Sequence, residues 1–131
     1  MSAPLVWRAG SDAGQTTVEL ALCLPLVALL VAALLQVGVI VSDQTRLWHG
    51  AGEAAREAAV DPDPGQITEA AERSGLAPVL LSVNPQAPYR SQGRPVTVAL
   101  AYHPRAVFPL LAPIVGAMVL HASATMRIEQ P

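Results

Sequence analysis

An unbroken apolar stretch between Leu20 and Val41 constrains the fold of this chain more than any other feature. Every side chain from Leu20 to Leu35 is apolar, and Gln36 is the single polar residue before Ser42. The stretch is about 22 residues long, which as a helix spans about 33 Å and matches the roughly 30 Å hydrocarbon core of a bilayer. A helix in a soluble core shows a polar stripe at helical spacing, and this one shows none. The stretch therefore predicts a single transmembrane helix.

Composition limits what the rest of the 131 residues can do. The net charge is −2 and aromatic residues make up 4%, so the chain has neither the basic surface nor the stacking platform for nucleic acid. Its one cysteine, Cys23, lies within the apolar stretch. His49, His103 and His121 lack neighbouring cysteines or carboxylates at the spacing of metal ligands, and there is no nucleophile elbow or P-loop. We therefore expect neither catalysis nor a cofactor.

The residues that lead into the apolar stretch carry a more specific pattern. Gly14 is followed by four residues, Gln15 to Val18, and then by Glu19 and the apolar run. This junction resembles a type IV prepilin site, where a membrane aspartic peptidase cuts after the glycine. The resemblance implies that Gly14 precedes the cut, that Gln15 becomes the new N-terminus, and that Glu19 is the pilin-type glutamate. Met1–Gly14 is then the leader, a short polar segment in which we expect no regular structure.

Glu19 stands out because a carboxylate at the edge of a membrane-spanning helix is costly unless it is paired. A free amine on Gln15 of a neighbouring, axially shifted subunit would supply the partner, and a negative charge in the first turn suits the helix dipole. Glu19 is therefore expected to set the register of an assembly. The alternative leaves Glu19 as an ordinary N-terminal helix residue, with Thr16 or Thr17 as the cap.

Other residues in and around the stretch bear on its placement. Pro25 removes one backbone hydrogen bond and predicts a kink, either a simple bend or a flexible joint for packing into an assembly. Arg8 precedes the span and Asp43 is the first charged residue after it. The positive-inside rule therefore predicts that the N-terminus lies on the inner side of the cytoplasmic membrane and the C-terminal part on its outer side. A secreted protein is the alternative, with signal-peptide cleavage after Val31–Ala33 and a mature chain that starts at Leu34.

Beyond Val41 the pattern becomes amphipathic, and the helix is expected to continue to about Ala59. Small residues recur at intervals of three and four along one face, which allows a sheet or another helix to approach closely. These small residues are Gly50, Ala51, Ala54, Ala55 and Ala58. The segment Asp61–Pro64 ends the helix, and a second, short helix is predicted to follow and to stop at Gly75.

Three strands are predicted at Val79–Asn84, Pro95–Tyr102 and Val119–Ile128. The simplest packing is a three-stranded antiparallel sheet against the small-residue face of the long helix. The predicted fold class is therefore α+β and pilin-like. It has a leader at 1–14, a transmembrane helix with its extramembrane extension at 15–60, and a small extracytoplasmic domain at 61–131.

The connection Pro104–Gly116 is more apolar than an ordinary loop between strands. Its large side chains Phe108, Leu110, Leu111 and Ile114 are expected to be buried, to dip into the bilayer surface or to cover a partner. This connection supports a second hypothesis, in which the chain is a membrane-anchored module that binds a partner through it.

The chain as a whole resembles the TadE-like family of tight-adherence pilus assembly proteins, a class of pseudopilin-like membrane proteins. The resemblance rests on Gly14–Pro25, on the helical segment AAREAA at 54–59, and on the closing strand ASATMRIE at 122–129. It implies a non-catalytic, minor pseudopilin of a pilus or secretion machine. The implied partners are the lipid bilayer, other pilin-like or TadE-like subunits and a prepilin-type peptidase.

Overall fold

The computed structural model describes residues 12–129, and describes side chains from Gly14 onward. The helices and strands in chain order are α1 (Asp12–Val60), α2 (Pro64–Glu72), β1 (Leu80–Asn84), β2 (Pro95–Tyr102), a 3-10 turn (Pro109–Leu111), α3 (Ala112–Val115) and β3 (Leu120–Arg127). The chain divides into two compact units, the first ending at Leu35 and the second beginning at Gln36. Helix α1 therefore contributes residues to both units.

The predicted fold class is confirmed, since a long apolar N-terminal helix is followed by a short helix and a three-stranded antiparallel sheet. Strand β2 has its predicted bounds, β1 begins one residue later than predicted, and β3 is one residue shorter than predicted at each end. Helix α1 begins at Asp12, so the expectation of irregular structure is wrong for residues 12–14. No proline separates these residues from the apolar run, and the helix extends back through them. The rest of the leader, residues 1–11, lies outside the described residues.

In the first unit, the large apolar side chains of α1 are exposed rather than packed. Leu20, Leu22 and Leu26 are each about two-thirds exposed or more, and only 6% of the most apolar 18-residue window is buried. Leaving one leucine in water instead of an apolar environment costs about 1.5–3 kcal/mol, so this surface requires an apolar surrounding. Among residues 12–129 the structure has one helix that is long and apolar enough to cross a membrane, and it is α1.

In the second unit, the small-residue face of α1 packs against the sheet. Ala51, Ala54, Ala55 and Ala58 are almost completely buried in one core cluster with β2. Strand β2 supplies alternate side chains to this core, as its period-two pattern predicts. These side chains are Val96, Val98, Leu100 and Tyr102. Because alanine is short, the helix axis comes close to the sheet and larger side chains on β2 fill the space between them.

The sheet has the order β1-β2-β3, with both neighbouring pairs antiparallel. Leu100 in the central strand lies opposite Leu81 of β1 and Ala122 of β3. Opposite residues Thr97 and Thr125 are joined by a hydrogen bond of 2.8 Å between their hydroxyl oxygens. The central strand therefore joins its two edge strands into one sheet that covers the helix.

Helix α2 follows from local sequence signals and is held closely against α1. Asp63 caps it by accepting a hydrogen bond from the backbone nitrogen of Gly65 at 3.2 Å, and Gly75 follows the helix with a φ of +85°. Where α1 meets α2, a Cβ atom added to Gly50 would lie 2.7 Å from the carbonyl oxygen of Ala71. Gly50 is therefore required by the close packing of α1 on α2.

This close packing gives a test with a matched control. Gly50→Ala is expected to destabilise the second unit by about 1–3 kcal/mol, because the new methyl group meets a backbone carbonyl that cannot rotate away. Gly52→Ala, two residues on, meets no atom within 4 Å and is expected to stabilise α1 by up to about 1 kcal/mol. Thermal unfolding of the full chain in detergent, followed by circular dichroism, measures both. Equal behaviour of the two variants would contradict the packing.

Candidate functional site

The residues of the predicted processing motif lie on the first turns of α1. Gln15 and Glu19 are one helical turn apart, and the Gln15 side-chain nitrogen donates a hydrogen bond to a Glu19 carboxylate oxygen at 3.2 Å. Both side chains are exposed, and a Cβ atom added to Gly14 would meet nothing within 4 Å. The helix begins at Asp12, so Thr16 does not cap it in the uncut chain and neither does Thr17. Cleavage after Gly14 stays a prediction.

Pro25 lies inside α1, which continues on both sides of it. A proline in a helix has no N–H to donate to the carbonyl four residues earlier, here that of Ala21. Its neighbours Leu24 and Leu26 are exposed apolar residues, and Cys23 is an exposed free thiol. The proline therefore lies in the part of α1 that requires an apolar surrounding, and its role as a joint for assembly stays a prediction.

The single polar residue of the apolar run makes two hydrogen bonds to a distant part of the chain. Gln36 is only 3% exposed. Its side-chain nitrogen donates to the carbonyl oxygen of Arg105 at 3.1 Å, and its side-chain oxygen accepts from the backbone nitrogen of Val107 at 2.8 Å. Because both ends of the amide are paired, the cost of burying it among apolar groups is offset. Gln36 therefore attaches the chain just after β2 to α1.

A second glutamine on α1 makes the corresponding contact further along the helix. The side-chain nitrogen of Gln44 donates to the carbonyl oxygen of His121, in β3, at 2.8 Å. Gln36 and Gln44 are about two turns, or 12 Å, apart along the helix. Between their two attachment points the chain carries no polar side chain from Ala106 to Leu120, and we call these residues the apolar segment. The two glutamines hold both ends of the apolar segment to one helix.

The apolar segment turns some of its large side chains inward and leaves others exposed. Val115 is buried, and Phe108 and Leu111 are partly buried. Leu110 is 81% exposed and Ile114 is 67% exposed. The 3-10 turn and α3 form a single short helical stretch, and only one side of it can face the core. Packing over the core thus explains why position 115 is apolar, and partly why Phe108 and Leu111 are. It does not explain the apolar side chains of Leu110 and Ile114.

The sequence marks Gln36 as an interruption of the apolar run without showing its role, and it gives no signal for Gln44. The signal for Gln36 was present, because a polar side chain in an apolar helix needs a partner. The partners are backbone atoms 69 and 71 residues away. Such atoms carry no sequence signature. The sequence therefore indicates that Gln36 needs a partner but does not indicate where in the chain that partner lies.

Among the described residues, neither a metal site nor the cavity beside β1 involves the predicted site residues. Within residues 12–129, no group of three or more histidine, cysteine, aspartate or glutamate side chains is placed to hold a metal ion. A cavity of about 360 Å³ lies beside edge strand β1 and includes Arg90 in its lining. The Arg90 guanidinium donates to the carbonyl oxygens of Pro85 at 3.2 Å and Ala58 at 3.1 Å, so its charge serves to hold the surrounding loop.

In the comparison with known proteins, a family model matches part of this chain, most of helix α1. The family model described as TadE-like protein matches residues 14–59. The match begins at the predicted processing glycine and ends one residue before the end of α1, so the predicted resemblance is confirmed over this part. No curated protein and no solved structure gives a significant match. The family match and the membrane-span-like helix together fit a pilus-associated membrane protein.

The attachment of the apolar segment by Gln36 can be tested directly. Gln36→Leu leaves the Val107 N–H without its acceptor, at a cost of about 1–3 kcal/mol for the unpaired backbone groups. We expect the Val107 amide to exchange its hydrogen about tenfold faster or more, since about 1.4 kcal/mol corresponds to a factor of ten. Hydrogen exchange of the full chain in detergent measures this.

The matched control for this exchange experiment is Gln44→Leu. It removes the contact to His121 and leaves the Val107 N–H bonded to Gln36. Exchange at Val107 should therefore stay close to that of the unaltered chain. Faster exchange of equal size in both variants would show that Gln36 has no specific role there.

Proposed function

From the TadE-like match over residues 14–59, we propose that this protein is a non-catalytic, minor pseudopilin of a tight-adherence pilus or secretion system. It is held in the cytoplasmic membrane as a single-pass protein by α1. The observation that carries the proposal is that the family match covers a stretch in which an exposed apolar helix follows directly on a prepilin-type motif. Its role is association, and its partners are lipid and other pilin-like or TadE-like subunits.

The proposed topology places the N-terminus inside the cell and the C-terminal domain outside. It is supported by the charges at the two ends of the apolar run. Arg8 precedes the run, and Asp43 is the first charged residue after it. In this topology a prepilin-type peptidase meets Gly14 and Gln15 at the inner face of the membrane.

Assembly is proposed to use Glu19 as a register device. In the single chain, a neutral side-chain amide from Gln15 donates to the Glu19 carboxylate. A neutral donor leaves the negative charge uncompensated, and a charged group deep in a bilayer costs about 2.5–3.5 kcal/mol. Cleavage after Gly14 would create an ammonium group on Gln15, and this group on a neighbouring subunit can pair with Glu19. The pair forms at only one axial offset of the two helices, which fixes their register.

The processing step predicts a defined mature mass. Intact-mass measurement of the membrane fraction should give a chain that starts at Gln15. Gly14→Leu should leave the chain uncut, because the prepilin resemblance implies cleavage after a glycine, and a Cβ atom at this position meets nothing within 4 Å. Gly10→Leu, outside the motif, should be cut normally. A wild-type chain that keeps Met1 would show an unprocessed anchor, and one that starts at Leu34 would show secretion.

The register role predicts a specific loss on replacing one carboxylate. Glu19→Ala should leave the protein in the membrane and reduce its incorporation into pili by more than about tenfold, since a lost charge pair of more than 1.4 kcal/mol exceeds a factor of ten. Immunoblotting of sheared pili measures the incorporation. Glu53→Ala is the control, because the exposed Glu53–Arg56 ion pair at 3.2 Å contributes little. Unchanged incorporation of Glu19→Ala would remove Glu19 from the mechanism.

A further inference from the structure

The apolar segment exposes large apolar side chains that nothing in the second unit covers. It carries no polar side chain from Ala106 to Leu120, and Val107, Leu110 and Ile114 are all more than half exposed. Single exposed apolar residues are ordinary on protein surfaces, but a contiguous group of this kind marks a surface that meets an apolar partner.

The two glutamine contacts fix the level of the apolar segment along α1. Val107 in the segment and Arg105 just before it are bonded to Gln36, and His121, which follows the segment, is bonded to Gln44. The apolar run of α1 ends at Val41, between these two levels. The apolar segment therefore lies beside the part of α1 where the helix changes from apolar to polar.

The exposed surface of α1 at this level includes apolar side chains. Val37 and Val41 are both more than half exposed, although they belong to the same compact unit as the apolar segment. The apolar surrounding that these two exposed valines require lies at the same level along α1 as the apolar segment. Polar and charged residues flank the segment, with exposed Arg105 before it and exposed His121 after it. Cationic and amphipathic side chains of this kind suit the headgroup layer of a bilayer.

We infer that the apolar segment inserts into the surface of the same bilayer that α1 crosses, with Leu110 and Ile114 among the lipid chains. This inference rests on the proposed membrane anchor. The arrangement is that of an interfacial element, an apolar face buried by several ångströms at the boundary of headgroups and chains. Lipid is the partner of this surface because the apolar segment lies level with residues of α1 that already require lipid. A protein partner would have to displace lipid from the same level.

The test uses spin labels on the full-length chain in phosphatidylethanolamine and phosphatidylglycerol vesicles. In a Cys23→Ala background, a nitroxide is placed separately at Leu110→Cys and Ile114→Cys. Tyr89→Cys is the matched control, because Tyr89 is 80% exposed and belongs to a loop after β1. Leu29→Cys reports on the helix itself. Oxygen, which concentrates in lipid, and a water-soluble nickel chelate are the two relaxing agents.

The expected result is that the labels at positions 110 and 114 respond more to oxygen than to the nickel chelate, as the label at position 29 does. The label at position 89 should show the reverse preference. The ratio of the two accessibilities at 110 and 114 should exceed that at 89 several-fold.

Three other results would overturn the inference. Lipid exposure at position 29 with water exposure at 110 and 114 would leave the anchor intact and refute insertion of the apolar segment. Water exposure at position 29 would refute the anchor and the insertion together. Lipid exposure at 29 with shielding of 110 and 114 from both agents would show a protein occupant, in this system a second copy of the chain.

Discussion

A buried amide inside an apolar run is the constraint on which the arrangement of the second unit depends. Gln36 is almost completely shielded from water, so its donor and acceptor must both be paired within the chain. The backbone groups of Arg105 and Val107 meet this need. The same two bonds fix the path of the chain after β2, where no strand partner is available to hold it. Removing the amide would leave the Arg105 carbonyl and the Val107 N–H without this partner, which makes the contact costly to break and specific in position.

Helix α1 changes its chemistry along its length without changing its conformation. Its first part carries large, exposed leucines, which suit a surrounding of hydrocarbon. Its last part carries alanines on one face, and these bury little area each but bring the helix close to the sheet. The stability of the second unit then comes chiefly from the larger side chains opposite them, such as Val96, Val98 and Leu100. Gly50 allows the same close approach on the side of α2.

The features that follow from local pattern were predictable, and those that depend on distant contacts were not. Strand β2 has its predicted bounds because alternation from Val96 to Tyr102 is a local, period-two signal. The outward orientation of Leu110 and Ile114 could not be predicted, because a short segment with two prolines shows no helical or strand periodicity. The motif at Gly14 and Glu19 was visible as a spacing, and the structure adds the Gln15 contact one turn away. The contacts of Gln36 and Gln44 reach backbone atoms 69 to 77 positions away, which sequence patterns do not encode.

A laterally attached apolar segment changes what a single membrane helix can do in an assembly. A lone apolar helix is free to tilt, to rotate about its axis and to shift along the membrane normal at modest cost. If Leu110 and Ile114 enter the bilayer, rotation is restrained, because only one side of the second unit carries them. Movement outward is also restrained, because one helical turn, about 5.4 Å, would draw both side chains towards water. A helix restrained in rotation and depth loses less freedom when it meets a neighbour, and this loss is one of the main costs of association. Under the proposed function, the contacts at Gln36 and Gln44 would therefore lower the cost of the subunit pairing in which Glu19 is proposed to set the register.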